Sequence, residues 1–251
     1  MKNNIVFMPA FCKELPYYAK MCIKFWKYWC DKHSIEFIIC NEYPLNPETT
    51  PCTVQKLFSY EILDGNNIQY DQCCLVDWDT FPMPNAKNIF EYTNNKFSVC
   101  LDYGYPINIL RSIEFMQQFF ENTNVTWDNY FNSGLFVFNK NHKYLFKEAR
   151  EICLKYDNIR KKNEELFHGD QTVLNYIVHK YELVNILPRS FMVHEHFLKI
   201  FLNNYVDHHN KFIDAQSYMN NINFVHITDN EDFRNNLVNL IYEKFYKNII
   251  N

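Results

Sequence analysis

Two carboxylates one residue apart, Asp77-Trp78-Asp79, follow directly on the apolar run Cys73-Cys74-Leu75-Val76. A continuous apolar run of this length reads as a strand covered on both faces, and ligands of open α/β sheets gather beyond the carboxyl ends of such strands. If the extended geometry continues past Val76, residues two apart point to one side, so Asp77 and Asp79 face a single ion while Trp78 turns away. Oxygen ligands of this kind suit a hard divalent cation, Mn²⁺ or Mg²⁺. A solvated turn or a helix cap is the competing reading of the same three residues. The chain has 4 glycines, at positions 65, 104, 134 and 169, and so contains neither G-x-G-x-x-G nor G-x-x-x-x-G-K-[ST]. Without a glycine-rich phosphate cradle, a cation held by paired carboxylates is the economical way to neutralise a diphosphate.

Other residue types extend this chemistry. His226 ends the apolar run Phe224-Val225-His226, where a neutral imidazole can complete a carboxylate-rich metal site. Asp170 and Gln171 follow Gly169 at the expected start of a helix, where the Asp can cap the helix or reach outward. Asn132-Ser133-Gly134 places a small side chain and bare backbone where a strand begins, which permits a ligand to approach the main chain. His194-Glu195-His196 does not continue as H-E-x-x-H, because Leu198 stands at the second His position, so a zinc peptidase is not supported. That pair and His208-His209 are read as surface or acceptor-side residues. The 9 cysteines show no C-x-x-C spacing, which argues for reduced thiols, with Cys73 and Cys74 as small buried hydrophobes.

The elements that must position these groups alternate. Strands are expected at Ile5 to Met8, Phe37 to Cys40, Cys73 to Val76, Phe97 to Leu101, Gly134 to Phe138, Leu183 to Leu187 and Asn223 to His226. Between them fall helical patterns: Leu15 to Cys30, Val54 to Leu63, Ile107 to Phe120, Tyr144 to Tyr156 and Thr172 to His179. The order implies an α/β layered fold with a mainly parallel central sheet flanked by helices. With no internal repeat and no Gly/Ser-rich linker, residues 1–251 read as one domain, and 227–251 hold a C-terminal amphipathic helix packed on it.

Composition narrows the partners. A net charge of −4 gives no electrostatic reason to bind a long polyanion, so nucleic acid is not an expected partner. No stretch is apolar enough for a transmembrane segment, and the opening residues are too short in their apolar part for a secretion signal, so a cytoplasmic location is expected.

Leu75-Val76-Asp77-Trp78-Asp79-Thr80 resembles the strand, D-x-D, T signature of GT-A nucleotide-sugar transferases, and in particular of glycosyltransferase family 8, which includes glycogenin-like and lipopolysaccharide sugar transferases. Tyr130-Phe131-Asn132-Ser133-Gly134 resembles that family's Y-F-N-[SA]-G segment, and His168-Gly169-Asp170-Gln171-Thr172-Val173-Leu174-Asn175 its D-Q-x-x-L-N helix start. Leu187-Pro188 and Phe224-Val225-His226 are similar to its L-P turn and to the strand ending in a metal-binding His. The five segments occur in the family's order. The resemblance implies a GT-A (Rossmann-like) fold and a metal-dependent hexosyltransferase that moves a sugar, with retention, from a nucleotide-sugar donor, a UDP-sugar by family habit, to a carbohydrate or other hydroxyl acceptor.

In residue terms the resemblance implies that Asp77, Asp79 and His226 bind Mn²⁺ or Mg²⁺, and that Asp170 and Gln171 are catalytic, positioning the sugar at its anomeric carbon. Donor-binding residues implied by the resemblance are Ala10 and Phe11 beside the base, Lys56 on the helix before the acidic motif, Trp78, and Asn132, Ser133 and Gly134. Read without the resemblance, Lys56 is an exposed helical lysine. The chain departs from the family's H-x-x-G-x-x-K-P-W, with Asp229 for the Gly and Asp232 for the Lys, and Arg234 is the cation that could replace that Lys at the leaving diphosphate. Met192 likewise replaces an Asn that commonly follows the L-P turn. An inverting relative would instead use Asp170 or Asp102 as general base. Two other classes compete: a sugar nucleotidyltransferase, for which the chain lacks a Gly-rich basic N-terminal loop, and a non-catalytic carbohydrate-binding relative.

Overall fold

The computed structural model describes residues 3–121, 123–156, 169–194, 198 and 219–250. Its centre is a six-stranded sheet in the order β2-β1-β3-β6-β5-β7, built from β1 (Asn4–Pro9), β2 (Glu36–Cys40), β3 (Gln72–Val76), β5 (Phe97–Leu101), β6 (Phe131–Phe138) and β7 (Val184–Ile186). Only β6 runs against the others, pairing antiparallel with both β3 and β5. A smaller sheet, β4 (Thr80–Pro82), β9 (Phe224–His226) and β8 (Met192–His194), stands beside it in the order β4-β9-β8. The α/β fold with a mostly parallel, helix-flanked sheet is as expected; β4 is an additional strand that three residues of sequence do not announce.

Strand alternation sorts the core. Ile5, Phe7, Cys73, Leu75, Phe97, Val99, Phe136 and Phe138 share one apolar cluster with α4 (Pro106–Phe119), α5 (Lys143–Lys155) and α6 (Gly169–Lys180). Val6, Met8, Cys74, Val76, Leu135 and Val137 face the other way onto Trp26 and Trp29 of α1 (Tyr17–His33). Helix α1 is buried on a second side as well: Tyr18, Ala19, Cys22 and Phe25 meet Phe81 and Val225 of the small sheet and Leu237, Val238 and Ile241 of α7 (Glu231–Ile241). It is therefore a wedge between the two sheets. Helix α7 is capped by Asn230, whose side chain accepts the Phe233 N–H at 3.0 Å, and runs on into a π-helical turn, Tyr242–Tyr246, where Tyr246 stacks on Phe25 at 4.1 Å.

Two expectations need correcting. Residues Val54 to Leu63 do not form one helix: α2 (Cys52–Gln55) and α3 (Ser59–Gly65) are separated by a 3₁₀ turn, Lys56–Phe58. That tighter turn carries Lys56 inward, so the lysine is 5% exposed and not a surface residue. Edge strand β2 is also only partly covered, unlike the fully buried β3 and β6. Cys73 and Cys74 are buried as expected, and burial pushes both thiols well up, which suits inert core residues. No helix among the described residues is long and apolar enough to cross a membrane.

Candidate functional site

The acidic motif sits in a turn, not in a continued strand. Beyond Val76 the backbone folds back so that the Thr80 N–H and hydroxyl both donate to the Asp77 carbonyl, at 3.0 and 2.6 Å. The turn is fastened to both sheets. Asp77 N–H donates to the Gly134 carbonyl of β6 (2.8 Å), the Ile227 N–H donates to the Asp79 carbonyl (2.9 Å), and the Trp26 indole N–H donates to the Thr80 carbonyl (2.9 Å). Pairing of β4 with β9 then sets Thr80 opposite His226. One ligand atom each from Asp77, Asp79 and His226 lie within 4.8 Å of one another, the cluster expected from the sequence. What converges the two carboxylates is the turn, and Trp78 between them packs against two apolar clusters and lines the adjoining pocket.

Gly134 explains how His226 can reach this place. A Cβ at position 134 would lie 2.5 Å from His226 Cε1 and 2.8 Å from Nδ1, so the missing side chain is the space the imidazole occupies. The expectation that bare backbone here admits a ligand is thus corrected in one respect: the group admitted is His226 itself. The strand also begins earlier than expected, at Phe131, so Asn132 and Ser133 lie within β6.

Lys56 joins the two acidic elements. Its Nζ lies 3.1 Å from both Asp77 carboxylate oxygens, 2.9 Å from Asp170 Oδ2 and 3.1 Å from the Ser133 carbonyl. Burial works against this charge, but Asp170 and Asp77 outweigh it and hold the ammonium well above the ordinary lysine range. Desolvation pushes Asp77 up in spite of Lys56, although 26% of its side chain still reaches the pocket. Asp79 experiences the same desolvation and is nevertheless held down by His226, 3.2 Å away, and by Arg234, at 3.5 Å. The Arg234 guanidinium comes from the first turns of α7, stacks over Tyr18 at 4.9 Å and donates to its hydroxyl at 2.7 Å. The helix after the last small-sheet strand thereby returns a cation to the acidic turn.

Two hollows meet at this cluster. The first, of about 280 Å³, is bordered by Pro9, Phe11, Trp78, Thr53 and Arg234, with Tyr43 5.9 Å from the Phe11 ring. Ala10 is not on that wall: its side chain is in the core with Val6 and Met8, and its N–H donates to the Cys40 carbonyl. The second, of about 350 Å³, is lined among others by Asp102, Asn132, Ser133, Asp170, Gln171 and His194, with Lys56, Asp77 and His226 at the junction. Asp170 is in the first turn of α6 and uses its carboxylate on Lys56. Gln171 Nε2 donates to Asp102 Oδ2 at 2.7 Å, and its Oε1 accepts the Ser133 N–H at 2.9 Å.

His194 corrects the surface reading of its pair. It is buried, with Nε2 3.2 Å from Asp102 Oδ1 and its ring centroid 5.4 Å from that of His226. Glu195, His196, His168 and the pair His208-His209 lie outside the described residues. Thr53 and Tyr130 also line the second hollow without having been singled out. Asp102 was weighed only as an alternative base, yet it follows β5 as Asp77 follows β3, and the strand-end rule applies equally to both.

The sequence matches no family model and no curated protein. Among solved structures, the fold is similar to that of the crystal structure of a glycosyltransferase involved in the glycosylation of the major capsid of PBCV-1. That likeness has a TM-score of 0.60 at 13% identity and covers 94% of this chain and 98% of the other, so it speaks for the whole fold and not for a fragment.

Proposed function

We propose that this protein is a metal-dependent glycosyltransferase of the GT-A type, related to family 8, that transfers a hexose from a nucleotide-diphosphate sugar, a UDP-sugar by resemblance, to a hydroxyl acceptor. The observation that carries the reading is the convergence of Asp77, Asp79 and His226 at the junction of two hollows, one walled by aromatic side chains and one by sugar-compatible polar groups. The likeness of the fold to a glycosyltransferase supports it.

Two carboxylates and one imidazole, close enough to share an ion, form a donor set that suits Mn²⁺ or Mg²⁺. Bound there, the cation supplies Lewis-acid neutralisation of a leaving diphosphate. The remaining roles fall to the chain. Arg234 adds a second positive group on the same side, in place of the Lys that Asp232 has displaced. Phe11 and Trp78 offer flat surfaces for a base. Asp170 and Gln171 line the second hollow, where a transferred sugar would lie, and the ion pair with Lys56 fixes the Asp170 carboxylate in place. Retention follows from the resemblance, with the acceptor hydroxyl attacking from the leaving-group side.

The test is a panel of nucleotide sugars scored for Mn²⁺-dependent thermal stabilisation and hydrolysis. One donor should stabilise the protein and be hydrolysed, and Asp79→Ala should lower that hydrolysis about a thousandfold, the equivalent of about 4 kcal/mol of transition-state stabilisation. Metal-independent turnover, or release of diphosphate from a sugar phosphate and a nucleoside triphosphate, would sink the reading.

A further inference from the structure

Asp102 is not one of the three groups that face the cation position, yet four hydrogen-bonding groups converge on it. The Gly104 N–H (2.6 Å) and His194 Nε2 (3.2 Å) face its Oδ1, while Gln171 Nε2 (2.7 Å) and Asn132 Nδ2 (3.4 Å) face its Oδ2. Burial alone would raise this carboxyl, but His194, the Gly104 N–H and Gln171 hold it well below the ordinary range, so both oxygens are acceptors only. A side-chain amide beside such a group can stand only one way round. Asn132 must turn its NH₂ to Asp102 and its oxygen to the other side, where the Gly134 N–H donates to Oδ1 at 2.7 Å. The same Oδ1 lies 3.0 Å from His226 Nδ1. An amide oxygen cannot donate, so Nδ1 carries the proton, and the lone pair of a neutral ring is then on Nε2, the nitrogen 3.2 Å from Asp79.

We propose that Asp102 is a positioning residue for the cation site at one remove: through Asn132 it fixes the His226 tautomer, leaving Nε2 available as a ligand. The inference rests on the metal reading given above. It assigns the chain Asp102, Asn132, His226 a direction, with every donor and acceptor set by the carboxylate at one end and the backbone N–H of Gly134 beside the middle link. Orientation of a ligating imidazole by an outer partner is worth about 10- to 100-fold in metal affinity where it has been varied.

The test is Mn²⁺ affinity, read from the electron paramagnetic resonance of free Mn²⁺, with no donor or acceptor present. Asp102→Asn keeps the shape but sets a donor against the Asn132 NH₂, leaving the Gly134 N–H alone to orient that amide; the affinity should fall about tenfold. Asn132→Ala removes the middle link and should cost the same factor, which keeps the test decisive if Asp102→Asn folds poorly. In the Asn132→Ala background, Asp102→Asn should cost nothing further, because the two act in series. An equal loss in both backgrounds would mean that Asp102 acts only through its charge, and would overturn the proposal, as would unchanged affinity in Asp102→Asn. Mn²⁺ binding that Asp79→Ala abolishes while Asp102→Asn leaves it intact sinks this inference alone; no Mn²⁺ binding by the unaltered protein sinks the metal reading and this inference with it.

Discussion

The two hollows that meet at Lys56 are built on different principles. The first is made by main chain: a turn locked by Thr80, clamped to both sheets by backbone hydrogen bonds, and edged by rings and Arg234. The second is made by side chains, with Asp102, Asn132, Gln171 and Ser133 satisfying one another across residues far apart in sequence. A turn of this kind tolerates a change of ligand because the bonds that hold it come from main chain, the Thr80 hydroxyl and the Trp26 indole, and not from the carboxylates of Asp77 and Asp79. A network of amides and carboxylates has no such reserve, since reversing one member leaves its neighbours facing donors with donors.

The sharpest way to break the distinction is to remove the residue that belongs to both sides. Lys56→Met leaves Asp77 and Asp170 without their shared cation, and the loss should be about 3–5 kcal/mol of folding stability, measured by urea unfolding. A loss under about 1 kcal/mol would mean that the two hollows are held apart by the fold and not by this lysine. Gly134→Ala acts on the junction alone. Its methyl must displace the His226 ring, so Mn²⁺ affinity should drop about tenfold while stability falls by about 1–3 kcal/mol. The smallest effect is that of pH. Burial would lower His226, but Asp79 more than compensates, so in the metal-free protein the ring keeps its proton above the usual histidine value. A cation must displace that proton; Mn²⁺ affinity should therefore fall as pH drops through this raised value and level off above it. Asp102, held well down, does not titrate there and should stay ionised over the same titration from about pH 8 to about pH 5.

These halves were also unequally legible in the sequence. The acidic turn, Thr80 and His226 could be read because a strand, a short motif and a second strand end are local patterns. The fold was legible for the same reason: apolar runs such as Cys73 to Val76 mark covered strands wherever they occur. The inward position of Lys56 is not legible from periodicity, because Val54 to Leu63 fits one helix and nothing local reveals the 3₁₀ turn that carries the lysine inward. The bend after Val76 is not announced either, because an apolar run suggests continued extension. The His194 to Asp102 contact joins positions that only the pairing of β8 with β9 and the end of β5 bring together, and no local spacing encodes it.

The small sheet has one further consequence. His194 and His226 stand opposite each other on neighbouring parallel strands, so their separation is set by the inter-strand repeat of about 4.8 Å and not by any loop. Both imidazoles line the second hollow, His226 beside the acidic turn and His194 beside Asp102, and the sheet acts as a ruler between them. A slip of one residue in either strand would turn a histidine to the opposite face, so errors in this spacing come as all or nothing. The distance from the acidic turn to the Asp102 side of the second hollow is thus specified with the tolerance of a hydrogen-bonded ladder, by a sheet only three strands wide.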